Sequence, residues 1–304
     1  MSIISRKVLN AIEPQYVLEG AGVRLRRGFP TEALDYLDPF LLFDDFSSNN
    51  PADYMKGFPM HPHRGIETVT YILAGEVNHR DSIGNAGKIG AGDVQWMTSG
   101  RGIMHEEMPS SRSGKLIGFQ LWVNLPAQRK MNEPRYQGIL SADIPEVELN
   151  DGVKVRVIAG RVGQVEGPVT GIVAEPTYLN VFIPSYSSFT HEIDEDRTAF
   201  AYVFEGEGMF EVTEGMARQF IQHRKLVVLG AGHSLVVKSK GQSIRFLLVL
   251  GKPIREPIAR YGPFVMNTRE EIEQALRDLR NGTFIDPQPN SDSNSWYGSP
   301  AKEK

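Results

Sequence analysis

Short apolar runs, each ended by glycine or proline, set the rhythm of this chain. Thr68-Val69-Thr70-Tyr71-Ile72-Leu73 has the β-branched and aromatic content of a strand. Gly75 ends it and Glu76-Val77 begins the return. Gly90-Ala91-Gly92-Asp93 reads as a turn into a strand over Val94-Gln95-Trp96-Met97. Leu116 to Val123 is apolar enough to predict a strand buried on both faces. Val8-Leu9 and Val23 to Leu25 predict earlier strands, and Phe40 to Phe46 is apolar, then acidic. The polar stretch Ser47 to Pro51 is expected to lie over a site as a lid, and Pro126 to Arg135 to act as a linker. One segment has helical period instead. Thr268 caps it, Glu271 completes a capping box, Ile272, Ala275, Leu276 and Leu279 form the apolar stripe, and Gly282 stops it.

The pattern repeats. Tyr202 to Glu207 echoes Tyr71 to Glu76 at an offset of 131, and Gly230-Ala231-Gly232 echoes Gly90-Ala91-Gly92 at an offset of 140. Two β units of about 110 to 130 residues each follow from that repeat. Many short strands with glycine turns predict an all-β chain of two barrels or jelly rolls, with the helix as an arm. The expected division is 1–132, 133–285 and a Pro-, Asn- and Ser-rich tail over 286–304, expected to be disordered.

Composition narrows the class. At 304 residues and 40% apolar content the chain can bury two cores. With 33 basic and 37 acidic residues the net charge is -4, which gives no electrostatic reason for direct nucleic-acid or membrane binding. No cysteine is present, which excludes disulfides, thiolate ligands and a cysteine nucleophile. No signal-peptide core and no run near the roughly 20 apolar residues of a membrane span occurs, so a cytoplasmic protein is the expectation. A monomer is expected, because two barrels can cover each other's apolar faces.

The chemistry concentrates between Phe58 and Pro109, which holds four of the seven histidines. Residues two apart on a strand share a face, so His61 and His63 can point at one centre, with Glu67 of the same parity. His105 and Glu107 form a second same-face pair. Three imidazoles and a carboxylate from two strands make a site for a first-row divalent metal. Spacing alone leaves Glu67 and Glu107 as competing carboxylate ligands. Shifting His61 and His63 by 131 lands on Glu192 and Asp194, and shifting His105 by 140 lands on Arg245, so one metal per chain is expected. Phe43, Phe46, Phe58 and Trp96 are candidate walls for a flat aromatic ligand. His79, His191 and His223 are expected to be solvated, His233 to be a turn residue, and Arg101 to pair with an acidic side chain.

His61-Pro62-His63 with the later Gly102-x-x-His105 has the two-part signature of the cupins. Longer matches make the resemblance narrower. Phe58-Pro59, His61-Pro62-His63-Arg64-Gly65, Glu67-Thr68-Val69, Gly92 through His105, Glu107-Met108-Pro109, Arg255-Glu256-Pro257 and Gly262 through Thr268 resemble the pirin family. The similarity runs over roughly residues 5 to 285. It implies a bicupin with one metal in the N-terminal domain, 1–132, and a C-terminal domain, 133–285, without metal ligands. It implies His61, His63, His105 and Glu107 as ligands, with Glu67 unbound. Some pirins are similar to quercetin 2,3-dioxygenases, which implies a flavonol-like aromatic substrate, dioxygen and Glu107 as the base. Fe(II) is the metal most expected, with Mn, Ni, Co and Cu as alternatives. Other pirins act through protein partners, including transcription factors, so a non-enzymatic regulatory protein is the second expectation.

Overall fold

Antiparallel strands dominate the computed structural model, which describes residues 4–110, 114–212 and 220–285; the expected tail over 286–304 lies outside the described residues. The chain divides into two compact units that interleave in sequence. One is built from residues 1–16, 26–44 and 139–254, the other from 17–25, 45–138 and 255–304. Consecutive modules over 1–132 and 133–285 therefore differ from these units at residues 1–16 and 26–44, and at the C-terminal arm.

The first unit is organised by period-two burial. Val155 and Val157 on one strand, with Val153 just before it, Leu179, Val181 and Ile183 on the next, Ala199, Ala201 and Val203, then Ile244, Phe246, Leu248 and Leu250 all enter one core. The sheet order there is Val8–Ile12, Lys225–Leu229, Thr198–Phe210, Ile244–Gly251, Thr177–Ile183, Lys154–Ala159 and Glu146–Glu148. Residues of opposite parity build a second cluster, in which Phe200 packs edge-on against Phe29 at 5.5 Å and Phe40 at 5.4 Å. Phe43 lies here, 5.6 Å from Phe200 and 4.8 Å from Tyr202. It is a core residue of this unit and not a wall of the histidine site.

In the second unit a sheet runs in the order Arg135–Ile139, Val94–Thr98, Ile66–Ala74 and Ile117–Asn124, and a four-stranded sheet in the order Phe58–His63, Ile103–Pro109, Val77–Asp81 and Ala86–Ile89. Val23, Leu25, Phe46, Tyr54, Ile72, Val77, Ile89 and Leu116 form an apolar core. The strand Ile117–Asn124 is not buried on both faces as expected. Ile117, Gln120 and Trp122 are only half-buried, while Phe119, Leu121 and Val123 are fully buried.

The predicted helix spans Arg269–Asn281 with its capping box formed and Gly282 in the left-handed region at φ 70°. Its Ile272 and Ala275 pack with Phe264, Met266, Phe284 and Met104, so the arm belongs with the histidine-bearing unit. Arg64 fixes it further. The guanidinium pairs with Asp278 at 2.6 Å and lies 4.4 Å over the Phe284 ring. The expected linker also carries an anchor. Lys130 is buried, and its Nζ donates to the carbonyls of Gly65 and Val265 at 2.9 Å each and to Asn124 Oδ1 at 2.7 Å. Among the described residues no helix is long and apolar enough to cross a membrane.

Candidate metal centre

The turn between the first two strands of the site depends on Gly65. Its φ is +81°, and a Cβ there would overlap the Val265 carbonyl oxygen. That turn breaks the parity that joined Glu67 to His61 and His63. His61 and His63 end one strand, Phe58–His63, while Glu67 starts another, Ile66–Ala74. Glu67 is buried elsewhere, accepting from Trp96 Nε1 at 3.1 Å and Thr98 Oγ1 at 2.8 Å. Burial pushes its carboxyl up to about 7, against the pull of the two hydrogen bonds.

The three histidines do converge. His105 sits opposite His61 in the antiparallel register, and the ligand atoms of His61, His63 and His105 all lie within 4.8 Å of one another. His61 Nδ1 donates to the Pro59 carbonyl at 2.9 Å, and His63 Nδ1 faces the Pro263 carbonyl at 3.4 Å. Tied at Nδ1, both rings aim Nε2 inward, and these two nitrogens stand 3.0 Å apart. Two donors each about 2.1 Å from one ion at right angles would have that spacing. His105 is the sharper sign, because both of its ring nitrogens are buried with no hydrogen-bond partner. Burial holds His63 and His105 well below the usual imidazole range, and neighbouring imidazoles push the same way. Burial also lowers His61, opposed by the Pro59 carbonyl and Glu107. Neutral imidazoles are the form that binds metal, so the donor set fits a divalent ion.

Glu107 shares the strand and face of His105. Its Oε1 accepts from Thr70 Oγ1 at 2.7 Å, and Thr70 also reaches Gln120 Oε1 at 3.0 Å. Glu107, Thr70 and Gln120 line a cavity whose other walls include Phe46, Tyr54, Phe58, Val77 and Leu116. Its volume is about 10 Å³, room for roughly one water. The Tyr54 hydroxyl is buried there without a partner. The stretch expected as a lid, Ser47 to Pro51, does not line this cavity, although Phe46 just before it and Tyr54 just after it do. Asn50 caps a short helix, Pro51–Tyr54, and Ser48 exchanges two backbone hydrogen bonds with Leu116 at 2.8 and 2.9 Å.

Of the candidate aromatic walls, Phe46 and Phe58 face the cavity, whereas Trp96 is a buried partner of Glu67. Trp122, which the sequence did not single out, takes a place near the site, edge-on to His63 at 5.1 Å with Arg260 stacked over it at 5.0 Å. His79 is not solvated. It is buried, bonded through Nε2 to Asp81 Oδ2 at 3.1 Å and stacked on Tyr136 at 5.0 Å. His191 is half-buried on Phe189, and burial pushes it down to about 4. Arg101 pairs with Glu133 at 3.0 Å.

Three imidazoles gathered on an antiparallel β unit fit a metal-site cupin, and two β units in the chain fit a bicupin. Comparison with known proteins narrows the class. Residues 22–123 match the pirin family model and residues 178–285 the pirin C-terminal cupin domain. The chain belongs to the pirin family. It is 45% identical over 274 residues to a Pseudomonas aeruginosa protein provisionally named a quercetin 2,3-dioxygenase, covering 88% of this chain and 93% of that one. It is 42% identical over 280 residues to human pirin, covering 91% and 93%. The crystal structure of a quercetin 2,3-dioxygenase from Acinetobacter baumannii superposes with a TM-score of 0.82 at 34% identity, covering 92% of this chain and 99% of that one.

Proposed function

We propose that the protein is a metal-dependent dioxygenase that opens the central ring of a flavonol such as quercetin and releases carbon monoxide. The observation that carries the reading is the convergence of three imidazoles within 4.8 Å, that of His105 with both nitrogens unpartnered, beside a strand whose next same-face position, Glu107, lines an aromatic-walled cavity. His61, His63, His105 and Glu107 would hold the metal. A first-row divalent ion, most simply Fe(II) in a cytoplasmic setting, would acidify the flavonol 3-hydroxyl and favour its reaction with dioxygen. Glu107 would take the 3-hydroxyl proton, and the Thr70 hydroxyl at 2.7 Å would hold the carboxylate in place for that transfer. Phe46 and Phe58 would cover the faces of the flat ring system and exclude water. One dioxygen is taken up for each carbon monoxide released. Every group comes from one chain, so a monomer suffices.

A second reading has one observation in its favour. The cavity at Glu107 is too small for a flavonol as it stands, so entry requires it to open. A metal-binding regulatory protein acting through a protein partner needs no such opening. Dioxygen uptake and carbon monoxide release with quercetin separate the two, using Fe(II)-loaded protein beside a Glu107→Gln variant. Turnover that the variant loses supports the dioxygenase. Loaded protein that turns over no flavonol with any first-row metal rejects it.

A further inference from the structure

The unexpected burial of His79 has a chemical consequence. The strand Val77–Asp81 pairs with Ile103–Pro109 so that His79 lies opposite Glu107 and Asp81 opposite His105. Directly opposed residues in an antiparallel pair point to one face, so His79 and Asp81 share the inner face with His105 and Glu107. The His79 ring is 5.6 Å from the His105 ring, close to the 5.0 Å between His63 and His105.

Asp81 fixes the state of that ring. Its Oδ1 accepts from the backbone N–H groups of Ile83 at 3.1 Å and Asn85 at 2.9 Å, and its Oδ2 accepts from Asn85 Nδ2 at 2.9 Å. A carboxylate so placed accepts, so His79 Nε2 donates to Oδ2. The other nitrogen then presents its lone pair. Tyr136 stacks on the ring and limits its rotation. His79 Nδ1 is buried and has no hydrogen-bond partner. A buried acceptor fixed this firmly beside the His105 imidazole calls for a donor that comes with the ligand.

We propose that His79 Nδ1 is the hydrogen-bond acceptor for a donor on a ligand bound at the three-imidazole centre: the O–H of a water, a phenolic O–H other than the one given up to Glu107, or the N–H that a hydroxamate keeps when its O–H is lost. The proposal rests on that centre holding a metal, and not on the ligand being a flavonol. His79 thereby orients the ligand through that donor, and Asp81 acts through His79 by holding its tautomer.

Two substitutions separate this role from simple packing. The amide of Asn lies near the Nδ1 position of a histidine, and that of Gln near Nε2. His79→Asn keeps an acceptor at the Nδ1 position and gives up Asp81; His79→Gln keeps Asp81 and removes the acceptor. Co(II)-loaded wild type and both variants are titrated without oxygen against acetohydroxamate and against quercetin, with Co(II) affinity measured by chelator competition. The expected result is probe binding weakened roughly tenfold in His79→Gln, the loss of one hydrogen bond, and about threefold or less in His79→Asn. A packing role predicts the reverse order, and that order, or equal loss in both, overturns the proposal. Loss of Co(II) itself from both variants also overturns it. In the wild-type Zn(II) protein, the His79 Nδ1 nitrogen-15 resonance is expected to move on adding acetohydroxamate. An unmoved resonance at saturation sinks the idea without any variant. If acetohydroxamate follows the expected order while quercetin fails to bind, the flavonol reading falls and the role of His79 stands.

Discussion

Glu67 offers the most quantitative test of burial against hydrogen bonding in this unit. Its carboxyl is buried beside Trp96 and Thr98, and burial raises it from 4.5 to about 7. The folded state therefore binds the proton more tightly than the unfolded chain. Its stabilising effect is fully present below 4.5 and is lost as pH rises to 7. The difference of 2.5 in pKa, at about 1.4 kcal/mol each, gives a loss of about 3 kcal/mol between pH 4 and pH 8. Glu67→Gln isolates that effect. Its carbonyl can accept from Trp96 and its amide can donate to Thr98, so the variant mimics the protonated acid at every pH. Urea denaturation of metal-free wild type and variant at pH 5 to 8 gives the difference, in which other titrations cancel. The variant should gain on the wild type as pH rises, by about 2 to 3 kcal/mol over that interval. A difference flat to within about 0.5 kcal/mol would refute the reasoning, because the two hydrogen bonds would then have outweighed burial and kept the carboxylate ionised.

His105→Ala removes the donor with two orphaned nitrogens, and Co(II) affinity by chelator competition should fall about 100-fold or more. The histidines of the centre are held below their ordinary value of 6.5, so the metal-free protein keeps their contribution above that pH and loses it as pH falls. Its urea midpoint should drop below about pH 6.5, and the drop should shrink in a His63→Gln, His105→Gln double variant. Lys130→Met leaves the carbonyls of Gly65 and Val265 and the Asn124 side chain without their donor, so unfolding free energy should fall by roughly 2 to 4 kcal/mol. An Ala at Gly65 should cost at least as much and also weaken Co(II) binding, since that turn sets His63.

Which residues share a face was legible in the sequence where a single strand carried the information. His61 with His63, and His105 with Glu107, each lie within one strand, and alternation fixes their common face. It was not legible across a turn. Glu67 has the parity of His61, but the positive φ at Gly65 starts a new strand and sends its carboxylate to Trp96 and Thr98. The capping box and glycine stop located the helix, because those signals are local. Its partner was not legible, since Met104 and Phe264 meet Ile272 only through tertiary packing.

The same distinction explains His79. Along the chain, Asn78-His79-Arg80-Asp81 alternates polar residues and gives no apolar face that would predict burial. The register with Ile103–Pro109 places His79 and Asp81 opposite Glu107 and His105, while Arg80 turns outward to pair with Glu106 at 2.9 Å. A polar strand of this kind is buried on one face because the face it opposes is itself polar. Each buried donor or acceptor there needs a partner, and the inner face supplies Asp81 for one His79 nitrogen only. A purely structural histidine would gain from having both nitrogens satisfied or from replacement by an apolar residue of similar volume. Keeping one open beside the His105 imidazole is the arrangement expected where the missing partner arrives with a ligand.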